Sequence, residues 1–329
     1  MDTARTQPLQ VHRGTVRSGG ARPLWARWNA GIEHRYTIGV EEELMLLDRT
    51  PDHSPAPSGD AVLARLSGEL FKHTSPETHA SVIELATGIH RDVAAAAAQL
   101  TTLRAQLARE LTEMGLCAVC AGTYPLARTD EIRVSGGARY GRVSASMRML
   151  TRREPTMALH VHVGVPEPED AVRLLNGLRE VVPVLLALSA NSPFSQGRDS
   201  GFASARTVIF QGFPRTGTAR RFADYTDYVE AVDPLIASGA LPDPSFLWWD
   251  VRLQPPLGTV EVRVMDAQSS VADSTPLIAF VQSLAPLMLE TESGVSWGPR
   301  LRARVMPKPG ADLATLIGQP VKITQVSSR

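Results

Sequence analysis

Glu41 and Glu43 stand two residues apart in the run Gly39-Val40-Glu41-Glu42-Glu43-Leu44. Side chains alternate between the faces of a strand, so both carboxylates share one face. Val40, Leu44 and Leu46 share the other, with Glu42 among them. Two carboxylates so spaced can reach one divalent cation or a pair of them, and a solvated strand face accounts equally well for this run alone. In Met157–Val165 the apolar Leu159, Val161, Val163 and Val165 alternate with His160, His162 and Gly164. Two imidazoles beside a glycine suit a metal or phosphate site, or a pair of satisfied histidines on a sheet. Thr259–Met265 repeats the pattern, with Val260, Val262 and Val264 opposite Thr259, Glu261 and Arg263. The last two form either a structural ion pair or a metal ligand beside a phosphate clamp, since arginine binds phosphate bidentately. Glu77 and Glu84 add two further carboxylates, each of which alone reads as a surface residue.

Taken together, the three strands change the balance. If they are neighbours in one sheet, their polar faces converge into a hard, oxygen-rich site suited to Mg²⁺ or Mn²⁺. The sequence has no HExxH and no second cysteine pair, which argues against a zinc peptidase or a structural zinc site. It has no Walker A, no kinase glycine loop and no GxGxxG after a strand, so a nucleotide site would be of another type. Cys117 and Cys120, flanked by Leu116, Ala118 and Val119, read as two small buried residues in a strand.

The elements that must hold these residues follow from periodicity. A strand is expected over Tyr36–Leu47 and a loop over Asp48–Asp60, which holds three prolines. After Gly88, the residues Val93, Ala97, Leu100, Leu103, Leu107, Leu111 and Met114 recur three or four apart and define a helix face, with Gly115 as its terminator. Cys117–Thr123 then reads as a strand, closing a strand–helix–strand unit. Met157–Val165 is followed by a helix over Glu169–Ala190 that contains Pro183. Asn191–Pro214 is a polar segment, and Asp224–Ser238 is helical. Trp248–Arg252 and Thr259–Met265 pair around a turn at Pro255–Gly258, and a last helix starts near Pro276. Interleaved strands and helices give an α+β or α/β class.

Bulk properties set the frame. Of the 329 residues, 43% are hydrophobic and 21% charged, the balance of a globular protein. No run approaches the roughly 18 uninterrupted apolar residues of a membrane span, and the N-terminus has no secretory h-region. The expectation is a cytoplasmic protein without membrane partners. The net charge of zero is uneven. Residues 1–36 carry six arginines against Asp2 and Glu33, residues 293–329 carry six basic residues against Asp312, and the stretch between has 22 basic against 31 acidic residues. An acidic body with basic ends is not the clustered basic face of a nucleic-acid binder. Residues 1–34 show no period and read as a disordered extension, residues 35–291 as the catalytic domain, and residues 292–329 as a poorly ordered tail.

Six motifs in order resemble the glutamate–cysteine ligase type 2 family of carboxylate–amine ligases, within the glutamine synthetase-like superfamily. They are Tyr36-Thr37-Ile38-Gly39-Val40-Glu41-Glu42-Glu43-Leu44, Ile83-Glu84-Leu85-Ala86-Thr87-Gly88, His160-Val161-His162-Val163-Gly164-Val165, the segment from Asn191-Ser192-Pro193-Phe194 through Gln196-Gly197-Arg198-Asp199 to Ser204-Ala205-Arg206-Thr207, Trp248-Trp249-Asp250-Val251-Arg252, and Gly258–Ala267. The resemblance implies an α+β, glutamine synthetase-like fold whose curved, mainly antiparallel sheet forms a funnel. It implies Glu41, Glu43, Glu84, His160 and Glu261 as metal ligands, with Glu77 a weaker candidate. Arg263 would contact phosphate, and Arg198 and Arg206 would bind ATP phosphate or the substrate carboxylate. Glu261, Arg263, Arg198 and Arg206 are thus the expected catalytic residues. ATP, Mg²⁺ or Mn²⁺, an amino-acid carboxylate and an amine are the expected small-molecule partners. Homodimers are compatible with the resemblance, although the sequence carries no interface signature. The implied reaction transfers the ATP γ-phosphoryl group to a carboxylate, and an amine then attacks the acyl phosphate. Two departures stand out: Leu253-Gln254 where the family usually has Pro, and Gly294–Arg329 in place of a segment with Asn, Trp and Arg-Tyr-Gly. They leave open a C-terminally truncated relative that only binds ligand, and a metal-dependent amide hydrolase is the other alternative.

Overall fold

The computed structural model describes residues 22–126, 132–153 and 155–290. Expectations for residues 1–21 and for the tail 292–329 lie outside these residues. Seven strands form one sheet, every pair of them antiparallel. The central strand β1 (Ile38–Asp48) pairs on one side with β3 (Val82–Ala86), which in turn pairs with β2 (Thr74–Pro76). Its first half pairs with β5 (Ala158–Gly164) and its end with β4 (Leu116–Val119). Beyond β5 come β11 (Thr259–Asp266) and then β10 (Val251–Gln254). Two small sheets accompany it: the hairpin of β6 (Phe194–Ser195) with β7 (Arg198–Asp199), and the parallel pair β8 (Thr216–Gly217) with β9 (Trp248–Trp249). Mixed helices on a mainly antiparallel sheet make the class α+β.

Three long helices cover one face of the sheet: α3 (Val93–Glu113), α5 (Pro168–Ser189) and α8 (Val271–Glu290). They pack on the valine and leucine faces of the strands, and Leu159, Val161, Val163, Val260 and Val262 are fully buried there. That burial stabilises the layer by roughly 1.5–3 kcal/mol per side chain. The α3 helix begins at Asp92, whose carboxylate accepts from Ala95 N at 2.8 Å. It ends where Gly115 takes φ +74°, a left-handed conformation suited to glycine. The shorter helices are α1 (Gly59–Leu63), α2 (Gly68–Lys72), α4 (Ala138–Met147), α6 (Ala205–Gln211) and α7 (Tyr225–Ala237). By length and composition α8 could cross a membrane; it lies against α3, α5 and β5, with Leu277, Ile278, Val281 and Leu284 buried.

Three expectations change. The last helix starts at Val271, not near Pro276, because Ser270 caps it: its hydroxyl accepts from Asp273 N at 3.2 Å and bonds the Asp273 carboxylate at 2.6 Å. The strand read over Cys117–Thr123 stops at Val119, so Cys120 is buried just beyond it, and Cys117 is half-buried. Residues 22–34, read as the end of a disordered extension, are packed. Trp25 Nε1 donates to Asp233 Oδ1 at 2.9 Å, Trp28 Nε1 to the Val165 carbonyl at 2.8 Å, and Ala26 is fully buried. Two half-buried indoles docked against the core outweigh the aperiodic composition of the run they end.

Glu42, on the helix-facing side of β1, is completely buried. Arg104 of α3 donates to it from Nε at 2.6 Å, and Ser274 of α8 from Oγ at 2.6 Å. Arg104 also donates to the carbonyls of Gln268 at 2.9 Å and Ser269 at 3.1 Å. One ion pair thus ties β1, two helices and the connection after β11. Glu42→Gln should destabilise the protein by about 3 kcal/mol, because breaking a buried pair leaves the other charge uncompensated. Adding Arg104→Leu should recover part of that loss. Urea unfolding of both single variants and the double measures the coupling, and strictly additive losses would contradict it.

Candidate active site

The opposite face of the sheet carries the polar residues, and strand register brings them together. Glu41 lies across from His160, Glu43 from Glu84, and Glu261 from both His162 and Arg252. His160 Nδ1 is 3.1 Å from Glu41 Oε2 and 3.9 Å from both Glu84 Oε2 and Glu261 Oε1, while its Nε2 is 3.9 Å from Glu43 Oε1. His162 Nε2 is 3.3 Å from Glu41 Oε1, and its Nδ1 is 2.9 Å from Thr259 Oγ1. Arg263, on the same strand face as Glu261, donates to it directly. A register shift between Val262 and Met265 interrupts the β11–β5 pairing where Arg263 sits.

Burial and charge then act against each other. Burial raises Glu43 to about 8, with Glu77 adding and Arg206 and Arg263 opposing. Glu84 is pushed well above the usual carboxylate range by burial and then by Glu41. Burial also raises Glu77. Burial is outweighed at Glu261, where Arg252 and Arg263 hold the carboxyl well down, and at Glu41, where His162 and His160 do so. Burial, aided by Arg263, lowers His160 to about 4, which leaves the imidazole neutral at pH 7. The cluster therefore holds more buried carboxyl groups than its guanidiniums can keep ionised.

A divalent cation fits this deficit. Glu41, His160 and Glu261 offer ligand atoms within 4.8 Å of one another, and so do Glu43, Glu84 and His160. His160 Nε2 is buried and has no hydrogen-bond partner among the described residues, a lone pair or proton whose desolvation none of them offsets. Carboxylate oxygens with a neutral imidazole form a donor set suited to Mg²⁺ or Mn²⁺.

All five residues read as metal ligands meet here, and Arg263 joins them. Glu77 is half-buried beside them but belongs to neither ligand group. Arg206 is buried, with Nη1 and Nη2 donating to the carbonyls of Val264 at 3.0 Å and Arg263 at 3.1 Å. Its Nη1 is 3.8 Å from Asp266. Arg198 is exposed on the β6–β7 hairpin and has no side-chain partner among the described residues. Sequence reasoning missed Arg252 and Gln254, which donate to Glu261 Oε2 at 2.6 Å each. Period-two alternation on β10 puts both on one face, the one signal that could have found them. It also missed Asp266, whose carboxylate accepts from Ser192 Oγ at 2.6 Å, Ser204 Oγ at 2.9 Å and Asn191 N at 2.9 Å. That buried carboxylate anchors the segment leading to Arg198 and Arg206.

Two openings flank the cluster along the strand direction. At the Thr259 end lies a cavity of about 330 Å³ that shares Glu41 and His162 with the cluster. Its wall includes Gly39, Gly88 and Gly164, with Ile89 and Leu257 at the two sides of the sheet. At the other end, a small crevice lies between Arg206, Phe210 and Arg263. Thr259 and Arg263 are four residues apart, about 13 Å of strand, so the carboxylate cluster lies between the two openings.

Comparison with known proteins identifies the family. The family described as glutamate–cysteine ligase family 2 matches residues 37–300. A Rubrobacter xylanophilus protein provisionally named glutamate–cysteine ligase 2-1 is 39% identical over 257 residues, covering 78% of this chain and 68% of its own length. A second protein from that organism, provisionally named glutamate–cysteine ligase 2-3, is 41% identical over 264 residues, covering 80% and 72%. A Sorangium cellulosum relative with the provisional name glutamate–cysteine ligase 2 is 35% identical over 254 residues, covering 77% and 68%. Among solved structures, a bifunctional glutathione synthetase from Pasteurella multocida superposes with a TM-score of 0.58 at 15% identity, over 77% of this chain and 38% of its own. A glutamate–cysteine ligase from Francisella tularensis in complex with AMP gives 0.56 at 14% identity, over 78% and 67%. These structures share the fold. The chain belongs to glutamate–cysteine ligase family 2, a family of amide-forming ligases.

A bound cation should stabilise the folded state by mass action. At about 100 times its Kd the gain is about 2.7 kcal/mol, a rise of roughly 5–10 °C in Tm for a domain of this size. Mg²⁺ and Mn²⁺ should both raise Tm in the wild type and fail to do so in Glu43→Gln/Glu261→Gln. Differential scanning fluorimetry measures it, and an equal shift in the variant would remove the cluster as the cation site.

Proposed function

We propose that this protein is an ATP-dependent carboxylate–amine ligase that activates a glutamate side-chain carboxylate as an acyl phosphate and joins it to an amine, cysteine or another. The products are a γ-glutamyl amide, ADP and phosphate. One observation carries the reading: a buried carboxylate–imidazole cluster suited to divalent cations lies between a ligand-sized cavity and a guanidinium-lined crevice, on a chain of this family. The cavity falls in the size range of small-molecule sites. Gly39 and Gly88 leave room at its wall, and its link to Glu41 and His162 lets a triphosphate reach the cluster. The nucleotide therefore lies at the Thr259 end and the amino acid at the Arg263 end.

Mg²⁺ or Mn²⁺ held by Glu41, Glu43, Glu84, His160 and Glu261 would neutralise charge on the phosphate oxygens. The protein's own residues do the positioning. Arg263, fixed by Glu261, offers a preorganised donor to the transferring phosphoryl group. Arg252 and Gln254 hold Glu261 Oε2 from behind while Arg252 and Arg263 reach Oε1, so the carboxylate keeps one orientation. Thr259 fixes the ring of His162. Arg206 holds the strand that carries Arg263, and Arg198 is the candidate for the substrate carboxylate. In-line transfer between the two ends needs no covalent enzyme intermediate. It needs alignment and charge compensation.

Release of ADP should depend on Mg²⁺, glutamate and an amine together, with an amide found by mass spectrometry. Glu41→Gln should lower that rate about a thousandfold with the fold intact by circular dichroism. Amide cleavage without ATP would instead identify a hydrolase, and wild-type rates in Glu41→Gln would remove that residue from the chemistry.

A further inference from the structure

Residues 22–34 precede the segment matched by the family, which starts at residue 37, yet they form part of the wall of the larger cavity. Asn29 and His34 line it, beside Thr37, Gly164 and Leu257. This strap is fastened on both sides. Asn29 N donates to the Pro255 carbonyl at 2.9 Å and Asn29 Nδ2 to that of Pro256 at 3.2 Å. Trp28 Nε1 reaches the Val165 carbonyl, and Tyr225 OH donates to the Ala26 carbonyl at 2.8 Å. Trp28 and Tyr225 meet edge to face with ring centroids 5.7 Å apart.

Two glycines on the sheet side leave space for it. A Cβ on Gly164 would lie 2.1 Å from the His34 carbonyl oxygen. A Cβ on Gly258 would lie 2.2 Å from Ala30 Cβ and 2.7 Å from the Asn29 carbonyl oxygen. Gly258 also takes φ +62°, in the left-handed region. The sheet and the turn before β11 are thus shaped to seat this strap, not merely to tolerate it. At its cavity end, Gly31 N donates to His34 Nδ1 at 3.3 Å. With Nδ1 accepting, the neutral ring carries its proton on Nε2 and can donate it.

We propose that the strap is a specificity element of this enzyme: Asn29 and His34 close the outer wall of the nucleotide cavity and contact the nucleoside of ATP. The inference rests on the reading of that cavity as the nucleotide site. The triphosphate reaches inward to Glu41 and His162, so the nucleoside lies outward, between the strap and the apolar Ile89 and Leu257. Polar groups on the strap and apolar side chains at the flanks are the surfaces that a base and ribose require.

The test is calorimetric titration of the whole chain with ADP in Mg²⁺, for wild type, Asn29→Ala/His34→Ala and Gly258→Ala. The first variant removes the side chains from the wall. The second displaces the strap from a position outside the cavity. Both should weaken ADP binding about tenfold or more while titration with Mn²⁺ alone gives wild-type affinity. That unchanged cation site distinguishes loss of a nucleoside contact from general unfolding. If wild type binds ADP and Asn29→Ala/His34→Ala, folded by circular dichroism, binds it within twofold of wild type, the strap is not part of the site. If wild type gives no ADP binding at millimolar nucleotide, the cavity is not the nucleotide site, and the strap inference falls with it.

Discussion

Carboxylates gathered on one buried surface repel each other, and burial makes each harder to ionise. Glu41, Glu43, Glu77, Glu84 and Glu261 are held in this way, with Arg252 and Arg263 as the guanidiniums nearest Glu261. The imbalance splits the set. Glu41 and Glu261, beside cationic partners, stay ionised, whereas Glu43, Glu77 and Glu84 are driven toward protonation. Such a group can be ionised throughout only with added positive charge, and a neutral imidazole whose Nε2 has no partner among the described residues stands among the carboxylates to help receive it.

That arrangement holds only if the strands cannot slide. A one-residue slip would turn every carboxylate to the helix side. On that side the valine and leucine faces lie under α3, α5 and α8, and the buried Glu42–Arg104–Ser274 group locks β1 to two of those helices. A buried ion pair adds little net stability over apolar packing. Its contribution here is register: Glu42 has its partners only with Glu41 and Glu43 facing the other way. Asp266 does the same for the segment 191–206, fastening three groups of it to the end of β11.

Much of this was legible in the sequence because strands have a period of two. Alternation alone put Glu41 with Glu43, His160 with His162, and Glu261 with Arg263 on common faces, and the ordered motifs pointed to the family. Neighbouring strands were not legible from any one run. Glu84 and Glu77 looked like surface residues until the pairing of β3 with β1 brought Glu84 opposite Glu43. Arg252 and Gln254 escaped notice because their role depends on β10 lying at the edge beside β11. The strap at 22–34 was misread for a different reason. It ends an aperiodic run rich in Arg, Gly and Thr, and its order comes from two tryptophans docking on distant elements, which no local pattern encodes. Ser270-x-x-Asp273, by contrast, was a readable cap that the more conspicuous Pro276 obscured.

The proposed reaction requires a carboxylate oxygen to attack the γ-phosphorus of ATP. Glutamate labelled with oxygen-18 in its side-chain carboxylate tests it directly, with the released phosphate analysed by mass spectrometry during turnover with Mg²⁺ and an accepted amine. An acyl phosphate leaves one carboxylate oxygen on phosphorus when the amine displaces it, so the released phosphate should carry a single label. Unlabelled phosphate from an enzyme that is making amide would contradict it, because the carboxylate would then never have been joined to the phosphoryl group.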